Sequence, residues 1–169
     1  MTQIGIVGTG AWATTLGILF ARTGHRTVLW SRTESRAAEL ESARVNERSM
    51  PGAEFPEPMK VSGSLDESIA GADLVIVAVP SLTLRENLKT VGGAIQPGSN
   101  VVCATKGIEI SSGKRMSEVI FDELPGFDRN RIGVLSGPNL APEIAAGNVA
   151  TATVAFPSDG IGESVQEIL

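Results

Sequence analysis

The chain has 169 residues, of which 42% are hydrophobic and 20% are charged, and its formal net charge is −5. This length and composition predict one globular domain with a sizeable buried core. The acidic balance argues against a nucleic-acid partner, because binding along phosphate backbones requires clustered Lys and Arg. The negative net charge is still compatible with a small anionic ligand, since local hydrogen-bond donors decide whether such a ligand binds.

The single cysteine, Cys103, lies in an apolar run that predicts a buried strand, so we interpret it as a small core residue. It gives no evidence of an oxidising compartment. No stretch approaches the roughly 20 apolar residues of a membrane span, and Met1 leads directly into a predicted strand rather than a signal peptide. We therefore expect a cytoplasmic protein without membrane insertion.

Short β-branched runs alternate with helix-like segments along the chain, which is typical of a parallel sheet with helices on both faces. Such an α/β arrangement predicts a Rossmann-type fold. The unbroken apolarity of Leu74–Val79 places that strand at the centre of the sheet. The predicted strands are Gln3–Gly8, Arg26–Trp30, a weaker Lys60–Ser62, Leu74–Val79, Asn100–Ala104, Arg131–Leu135 and Ala150–Ala155.

The first predicted helix follows the first strand, has about three turns and ends at Gly24. Asn46–Pro58 contains three prolines and is predicted to be a loop. A last helix begins near Gly160 without a cap before Leu169, so we expect residues 1–169 to be one truncated domain. The other predicted helices are Thr33–Arg44, Leu65–Ile69, Leu82–Val91, Lys114–Leu124 and Leu140–Ala146.

The turn after the first strand, Gly8-Thr9-Gly10-Ala11-Trp12-Ala13, matches the G-x-G-x-x-G/A pattern of dinucleotide-binding folds. Gly8 permits the sharp turn, Gly10 leaves room for a pyrophosphate, and Ala13 lets the helix pack close to the sheet. The N–H groups at the helix N-terminus would face the anion. Trp12 is unusual in such a turn; its indole either packs on the domain, which we favour, or contacts the ligand.

The end of the second strand, Leu29-Trp30-Ser31-Arg32-Thr33, carries no acidic residue. NAD-selective sites usually place an acid about 20 residues beyond the glycines, where it binds the ribose 2′-hydroxyl. Arg32 offers a planar fork to a 2′-phosphate, and the alternative is a solvated arginine at the start of a helix. The missing acid favours NADPH as cofactor, with NAD still possible.

Three segments follow other strands and converge at the carboxyl edge of the predicted sheet: Pro80-Ser81, Thr105-Lys106-Gly107 and Ser136-Gly137-Pro138-Asn139. Lys106 suits an anionic or carbonyl substrate, and its alternative role is that of a surface lysine. Asn139 is predicted to cap the helix that follows, which does not exclude a ligand contact.

The single histidine, His25, lies at the amino edge of the predicted sheet, away from these segments, so we assign it no catalytic role. One histidine and one cysteine cannot build a metal cluster or a Ser-His-Asp triad.

Together these motifs resemble the bacterial NAD(P)-dependent glycerol-3-phosphate dehydrogenases. The resemblance runs through the whole chain, including the Asn46–Gly52 segment, and its most specific parts are Ala104-Thr105-Lys106-Gly107-Ile108-Glu109 and Ser136-Gly137-Pro138-Asn139-Leu140-Ala141. The sequence differs from the family at three positions: Ala11, where Ser is common, Ala13, where Gly is common, and Asn139, where Ser or Thr is usual.

The resemblance implies two sets of site residues, one for each ligand. Lys106, Gly137 and Asn139 would contact the substrate, sn-glycerol 3-phosphate or dihydroxyacetone phosphate. With the glycines of the turn included, the cofactor would contact Gly8, Gly10, Ala11, Trp12, Arg32, Thr33, Lys106 and Ala141.

The resemblance also implies a reaction, reversible hydride transfer between NAD(P)H and dihydroxyacetone phosphate in glycerophospholipid precursor synthesis, and a homodimer of the full-length protein. The general base of the family is a lysine in an all-helical C-terminal domain, beyond Leu169. We therefore expect no catalytic residue within this chain and no catalysis from it alone. Two alternatives stay open: a 2-hydroxyacid or ketopantoate-type reductase of the same architecture, and a non-enzymatic nucleotide-sensing module.

Overall fold

The computed structural model describes residues 1–169, and a seven-stranded sheet forms its centre. The strands are β1 (Gln3–Val7), β2 (Arg26–Trp30), β3 (Val45–Asn46), β4 (Met50–Glu54), β5 (Met59–Ser62), β6 (Leu74–Val77), β7 (Asn100–Cys103), β8 (Ile132–Ser136) and β9 (Thr153–Ala155). The helices are α1 (Ala11–Arg22), α2 (Glu34–Ala43), α3 (Leu65–Ser68), α4 (Leu84–Val91), α5 (Met116–Glu123), α6 (Ala141–Ala145) and α7 (Asp159–Gln166).

The strand order of the sheet is β5-β2-β1-β6-β7-β8-β9, and every neighbouring pair except β8 and β9 is parallel. The chain proceeds outward from β1 in one direction through β2 and β5, and in the other direction through β6, β7 and β8. The order therefore reverses between β1 and β6, where doubly wound folds bind their ligands. The predicted Rossmann-type α/β fold is confirmed.

Two apolar clusters of similar size cover the two faces of the sheet, with 20 and 18 buried residues. Successive side chains of β6 point to opposite faces, so Leu74 and Ile76 join the cluster beneath α1 and α2, while Val75 and Val77 join the one beneath α4 and α5. All four are fully or almost fully buried, which explains why this strand is apolar throughout. The predicted central position of this strand is confirmed.

The prediction of a loop over Asn46–Pro58 is wrong in part, because β3 and β4 form a short antiparallel hairpin there. Pro51 lies within β4, which pairs with β3 alone. A proline has no N–H to donate to a ladder, and a strand with one neighbour tolerates that loss on its open edge. The prolines therefore did not exclude a strand.

The last strand also differs from its prediction, because it is confined to Thr153–Ala155 and runs antiparallel to β8. The connecting helix α6 has five residues and rises only about 7.5 Å, too little to return the chain to the amino edge of the sheet. Thr153 consequently pairs with Ser136 at the carboxyl edge. The longest helix, α1, has 12 residues, and none in the structure has the length and apolarity required to cross a membrane.

Replacing Gly5 by Ala tests how closely α3 packs on β1. A Cβ at Gly5 would overlap the Ser68 carbonyl oxygen and approach the Ile69 side chain to 3.2 Å. Because backbone cannot yield as a side chain does, we expect Gly5→Ala to lower the free energy of unfolding in urea by about 1–3 kcal/mol. Gly93→Ala is the control, since its Cβ would meet no atom within 4 Å. Equal stabilities of the two variants would contradict this packing.

Candidate functional site

The glycine turn, residues 8–13, leads from the carboxyl end of β1 into α1. Gly8 adopts a φ of +123°, and a Cβ there would lie 2.7 Å from the Ala78 carbonyl oxygen. Gly10 differs, because a Cβ there would meet no protein atom within 4 Å. Packing within the protein thus explains why glycine is needed at position 8, but it does not explain the glycine at position 10. The open space in front of Gly10 fits a phosphate group that approaches the bare backbone.

The N-terminus of α1 is left without a partner from this chain. Gly10 is its N-cap, no side chain caps the helix, and its first turn contains no acidic residue. The first N–H groups of a helix have no intrahelical acceptor, and the helix dipole adds partial positive charge to them. This end of α1 therefore suits the diphosphate of a dinucleotide.

Asn46 of β3 ties the hairpin to the glycine turn. Its side chain is fully buried, and its Nδ2 donates to the Thr9 carbonyl oxygen and to the Thr14 hydroxyl, both at 2.9 Å. Its Oδ1 accepts from Arg36 Nη2 at 2.7 Å. Sequence reasoning assigned Asn46 no role, because a buried amide in a proline-rich segment gives no periodic signal.

A cleft of about 420 Å³, here called the arginine cleft, lies on the β2 side of the glycine turn. Arg32, Arg36 and Arg48 line it, and no Asp or Glu does. Arg36 is held by Glu39 at 2.6 Å and by Asn46, whereas Arg32 and Arg48 are exposed and form no ion pair. Arg32 thus lies where the sequence predicted it, and Arg36 and Arg48 were missed.

Thr33, also predicted to contact the cofactor, does not line the arginine cleft. It is the N-cap of α2, and its hydroxyl accepts from the backbone N–H of Arg36. The structure therefore gives its side chain a capping role.

A second cleft of about 390 Å³, the lysine cleft, opens on the β6 side of the turn. It meets the arginine cleft at Gly10, Ala78, Val79 and Pro80, which line both. One continuous groove therefore passes the N-terminus of α1. The predicted site residues that this cleft brings together are Gly10, Ala11, Trp12, Lys106, Asn139 and Ala141.

Lys106 projects from the loop after β7, and its Nζ donates to the Gly137 carbonyl oxygen at 2.8 Å. The side chain is exposed, so the ammonium keeps two further donors for a ligand. Gly137 does not line the cleft itself and contributes this carbonyl. A Cβ at Gly137 would lie 2.7 Å from the Thr151 carbonyl oxygen and 2.8 Å from Asn139 Nδ2, so glycine there leaves room for that backbone and for the asparagine side chain.

Asn139 Oδ1 has no hydrogen-bond partner, and it is the one buried side-chain oxygen or nitrogen of which this is true. Its prediction as a helix cap is wrong, because α6 begins at Ala141 and Leu140 is the N-cap. Pro142 within the first turn of α6 limits how many N–H groups the helix offers for capping. An unpaired buried amide costs roughly 1–3 kcal/mol. Asn139 itself lines the lysine cleft, so a turn of its side chain would bring this buried oxygen to a ligand donor there.

Trp12 and Ala141 are positioned by contacts between α1 and α6. Thr15 Oγ1 donates to the Ala141 carbonyl oxygen at 3.2 Å. Trp12 is partly buried and packs against the larger core cluster while it also lines the lysine cleft. The packing role that we favoured from the sequence is confirmed, and a contact with the ligand stays a prediction.

Two chemically distinctive residues lie outside the groove. His25 Nδ1 accepts from the Thr2 backbone N–H at 3.3 Å, at the amino edge of the sheet. Cys103 is buried, and because burial disfavours the thiolate its pKa is raised to about 11. The thiol therefore stays protonated and behaves as a core residue.

These features define a dinucleotide-binding domain of the dehydrogenase type. They are the doubly wound sheet, the uncapped helix that follows a glycine turn, and the groove at the point where the strand order reverses. The sequence matches the family model described as the NAD-dependent glycerol-3-phosphate dehydrogenase N-terminus over residues 3–161. The chain belongs to this family.

Individual relatives agree with the family match. The chain is 41% identical over 166 residues to glycerol-3-phosphate dehydrogenase [NAD(P)+] of Chlorobium luteolum, covering 98% of this chain and 50% of that protein. It is also 41% identical to the protein of that name from Dehalococcoides mccartyi, covering 100% and 47%. The chain spans about half the length of the curated relatives it matches.

A solved structure supports the same assignment. The crystal structure of glycerol-3-phosphate dehydrogenase from Coxiella burnetii superposes with a TM-score of 0.90 at 30% identity, covering 99% of this chain and 50% of that one. The cofactor class, NAD or NADP, follows from these relatives.

Asn46→Ala tests the tie between the hairpin and the glycine turn. The substitution leaves the Thr9 carbonyl, the Thr14 hydroxyl and one Arg36 donor without their partner. We expect the free energy of unfolding in urea to fall by about 1–3 kcal/mol. Asn130 is the control, because it is exposed and its side chain makes no such bonds. We expect Asn130→Ala to change the free energy of unfolding by less than about 0.5 kcal/mol. A loss no larger than that in Asn46→Ala would argue against the tie.

Proposed function

We propose that this chain is the cofactor-binding domain of a glycerol-3-phosphate dehydrogenase that interconverts dihydroxyacetone phosphate and sn-glycerol 3-phosphate. The observation that carries the proposal is the lysine cleft, where the Lys106 ammonium and the unpartnered Asn139 Oδ1 lie beside the N-terminus of α1. This cleft offers the donors of the Lys106 ammonium to one small ligand, and a turn of the Asn139 side chain would add its unpaired acceptor. Dihydroxyacetone phosphate has the matching groups: an anionic phosphate, a carbonyl oxygen and a hydroxyl donor.

The residues of the groove fit a nicotinamide dinucleotide. We assign the diphosphate to the N–H groups at the start of α1, the adenosine half to the arginine cleft and the nicotinamide half to the lysine cleft. When bound, the nicotinamide supplies or accepts the hydride. Trp12 and Ala141 form the apolar side of the lysine cleft, and they limit the access of water to the reacting carbonyl.

Lys106 is proposed to bind and orient the substrate. Its ammonium is a compact point charge with two free donors, suited to a phosphate or a carbonyl oxygen that gains negative charge. The lysine cleft contains no His, Asp or Glu to move a proton. In line with the family resemblance, we propose that the general-base lysine belongs to an all-helical C-terminal domain of the full-length protein.

We further propose that NADPH is preferred over NADH. Three arginines and no acidic residue line the cleft that would receive the adenosine ribose. Arg32 and Arg48 lack partners within the chain, so their guanidinium groups are free to bind a 2′-phosphate. An NAD-selective site would present a carboxylate to the 2′-hydroxyl there.

The cellular assignments rest on the family resemblance alone. We propose that the full-length protein is a cytoplasmic homodimer that supplies sn-glycerol 3-phosphate for glycerophospholipid synthesis. Size-exclusion chromatography with light scattering would test the dimer, and a dominant monomer at micromolar concentration would exclude it.

Titration of the full-length protein with NADPH and NADH tests the cofactor preference. We expect Arg32→Gln to weaken NADPH binding roughly 10- to 100-fold, because it removes charge-assisted hydrogen bonds to the 2′-phosphate, and to leave NADH binding nearly unchanged. Arg26→Gln is a matched control, since Arg26 is exposed at the opposite end of β2. Equal affinities for the two cofactors, unaffected by Arg32→Gln, would refute the preference.

Lys106→Ala tests the substrate role. In the full-length protein we expect kcat/KM for NADPH-dependent reduction of dihydroxyacetone phosphate to fall on the order of 100-fold, because a donor to the developing oxyanion is lost. Lys60→Ala, on the edge strand β5, removes the same charge far from the cleft and serves as control. Activity of Lys106→Ala equal to that of the control would remove Lys106 from the site.

A further inference from the structure

Arg85, the second residue of α4, is surrounded by carboxylates from two other segments. Its Nε and Nη2 bind the two oxygens of Glu109 at 2.8 Å each, a bidentate pair. It also contacts Glu123 of α5 through Nη1 and Asp122 at 3.4 Å. The Arg85 hydrogen bonds, with that of Ser112, lower the pKa of Glu109 to about 2, so this carboxylate stays ionised.

Glu109 belongs to the segment of residues 105–114, which carries Lys106 and is here called the lysine loop. Apolar packing does little to hold this loop, because Ile108 and Ile110 are 60% and 85% exposed. One end is fixed by Thr105, whose hydroxyl donates to the Val79 carbonyl oxygen at 2.8 Å. On the other side of Lys106, the first side chain that fixes the loop is Glu109, whose carboxylate is only 14% exposed. The later part of the loop is also held by the antiparallel bridge between Ile108 and Arg115 and by the Lys114–Asp122 ion pair.

Lys106 lies between these two fixed points, three residues before Glu109. A shift of the loop at Glu109 would move the Lys106 Nζ away from the Gly137 carbonyl oxygen that it now contacts at 2.8 Å. Catalytic geometry is sensitive to such shifts, since a misplacement of about 1 Å can cost roughly 100-fold in rate. The Arg85–Glu109 pair is therefore suited to set the position of Lys106.

The same helix also lines the other half of the groove. Asn87, two residues beyond Arg85, borders the arginine cleft, and its Nδ2 donates to the Thr83 carbonyl oxygen at 2.7 Å. One face of α4 thus contacts the cofactor half, while Arg85 reaches the lysine loop.

We propose that Arg85 is a positioning residue for Lys106, acting through Glu109 without touching the substrate. The inference rests on the proposed substrate role of Lys106. It assigns to Arg85 an effect on substrate affinity and on the order of the lysine loop, separate from any effect on global stability.

The experiment compares Arg85→Gln, Arg85→Lys and Glu109→Gln in the full-length protein, with Lys89→Gln as matched control. Lys89 lies on the same helix and carries the same charge, but its ion pair is with Glu86 of α4 itself. Three quantities are measured: the KM and kcat for dihydroxyacetone phosphate at saturating NADPH, the Kd for NADPH, and backbone hydrogen exchange across residues 105–114.

We expect Arg85→Gln and Glu109→Gln to raise KM for dihydroxyacetone phosphate roughly tenfold or more and to speed exchange in the lysine loop by a similar factor. The NADPH Kd should stay within about twofold, because the Arg32 and Arg48 side chains are unaltered. Arg85→Lys keeps the charge but not the bidentate fork, so an intermediate KM is expected. A purely structural role would lower the melting temperature and leave KM unchanged.

KM values and loop exchange equal to those of Lys89→Gln would overturn the inference. If Arg85→Gln does not fold, Arg85→Lys and Glu109→Gln still decide it. If the unmodified protein binds no NADPH or reduces no dihydroxyacetone phosphate, the proposed function fails. In that case the exchange data alone decide whether Arg85 orders the lysine loop, and unchanged exchange overturns that as well.

Discussion

The contact between the glycine turn and the end of β6 is the constraint on which the rest of the groove depends. Gly8 has no side chain and a positive φ, so β1 can turn sharply into α1 directly beside the Ala78 carbonyl oxygen. Any side chain at Gly8 would push the turn away from the point where the strand order reverses. The N-terminus of α1 would then no longer lie between the two clefts, and the proposed diphosphate site would be separated from the proposed substrate residues.

Polar side chains, rather than apolar packing, hold the two sides of this groove. The strands are buried on both faces, whereas residues 32–35, Arg48 and most of the lysine loop, which lie beyond their carboxyl ends, are exposed. On the β2 side, the buried Asn46 amide joins the hairpin, the glycine turn and Arg36. On the β6 side, the Arg85–Glu109 ion pair holds the lysine loop. Directional bonds suit this task because they fix a loop without closing the space that a ligand needs.

Much of the architecture was predictable because it depends on local patterns. The apolar run around Ile76 and the spacing of Gly8, Gly10 and Ala13 are determined by the sheet and the turn alone, and the structure agrees with the fold predicted from them. The hairpin at Met50–Glu54 and the antiparallel direction of β9 were missed, because both depend on how long the connections are and where they pack. In the site, Lys106 was found from its place after a strand. Asn46 and Arg85 were not, since their partners are distant in sequence. Arg48 was not either, because it enters the arginine cleft only through the fold of the β3–β4 hairpin.

Arg36 has two roles in the structure, and together they limit which substitutions can change the cofactor preference. Its guanidinium lines the arginine cleft and also satisfies the buried Oδ1 of Asn46. Loss of Arg36 would leave that oxygen unpaired and loosen the turn to which we assign the diphosphate common to NAD and NADP. If the proposed cofactor site is correct, selectivity can change at Arg32 and Arg48, whose side chains have no such partners, while Arg36 is retained because the turn that would bind either dinucleotide depends on it.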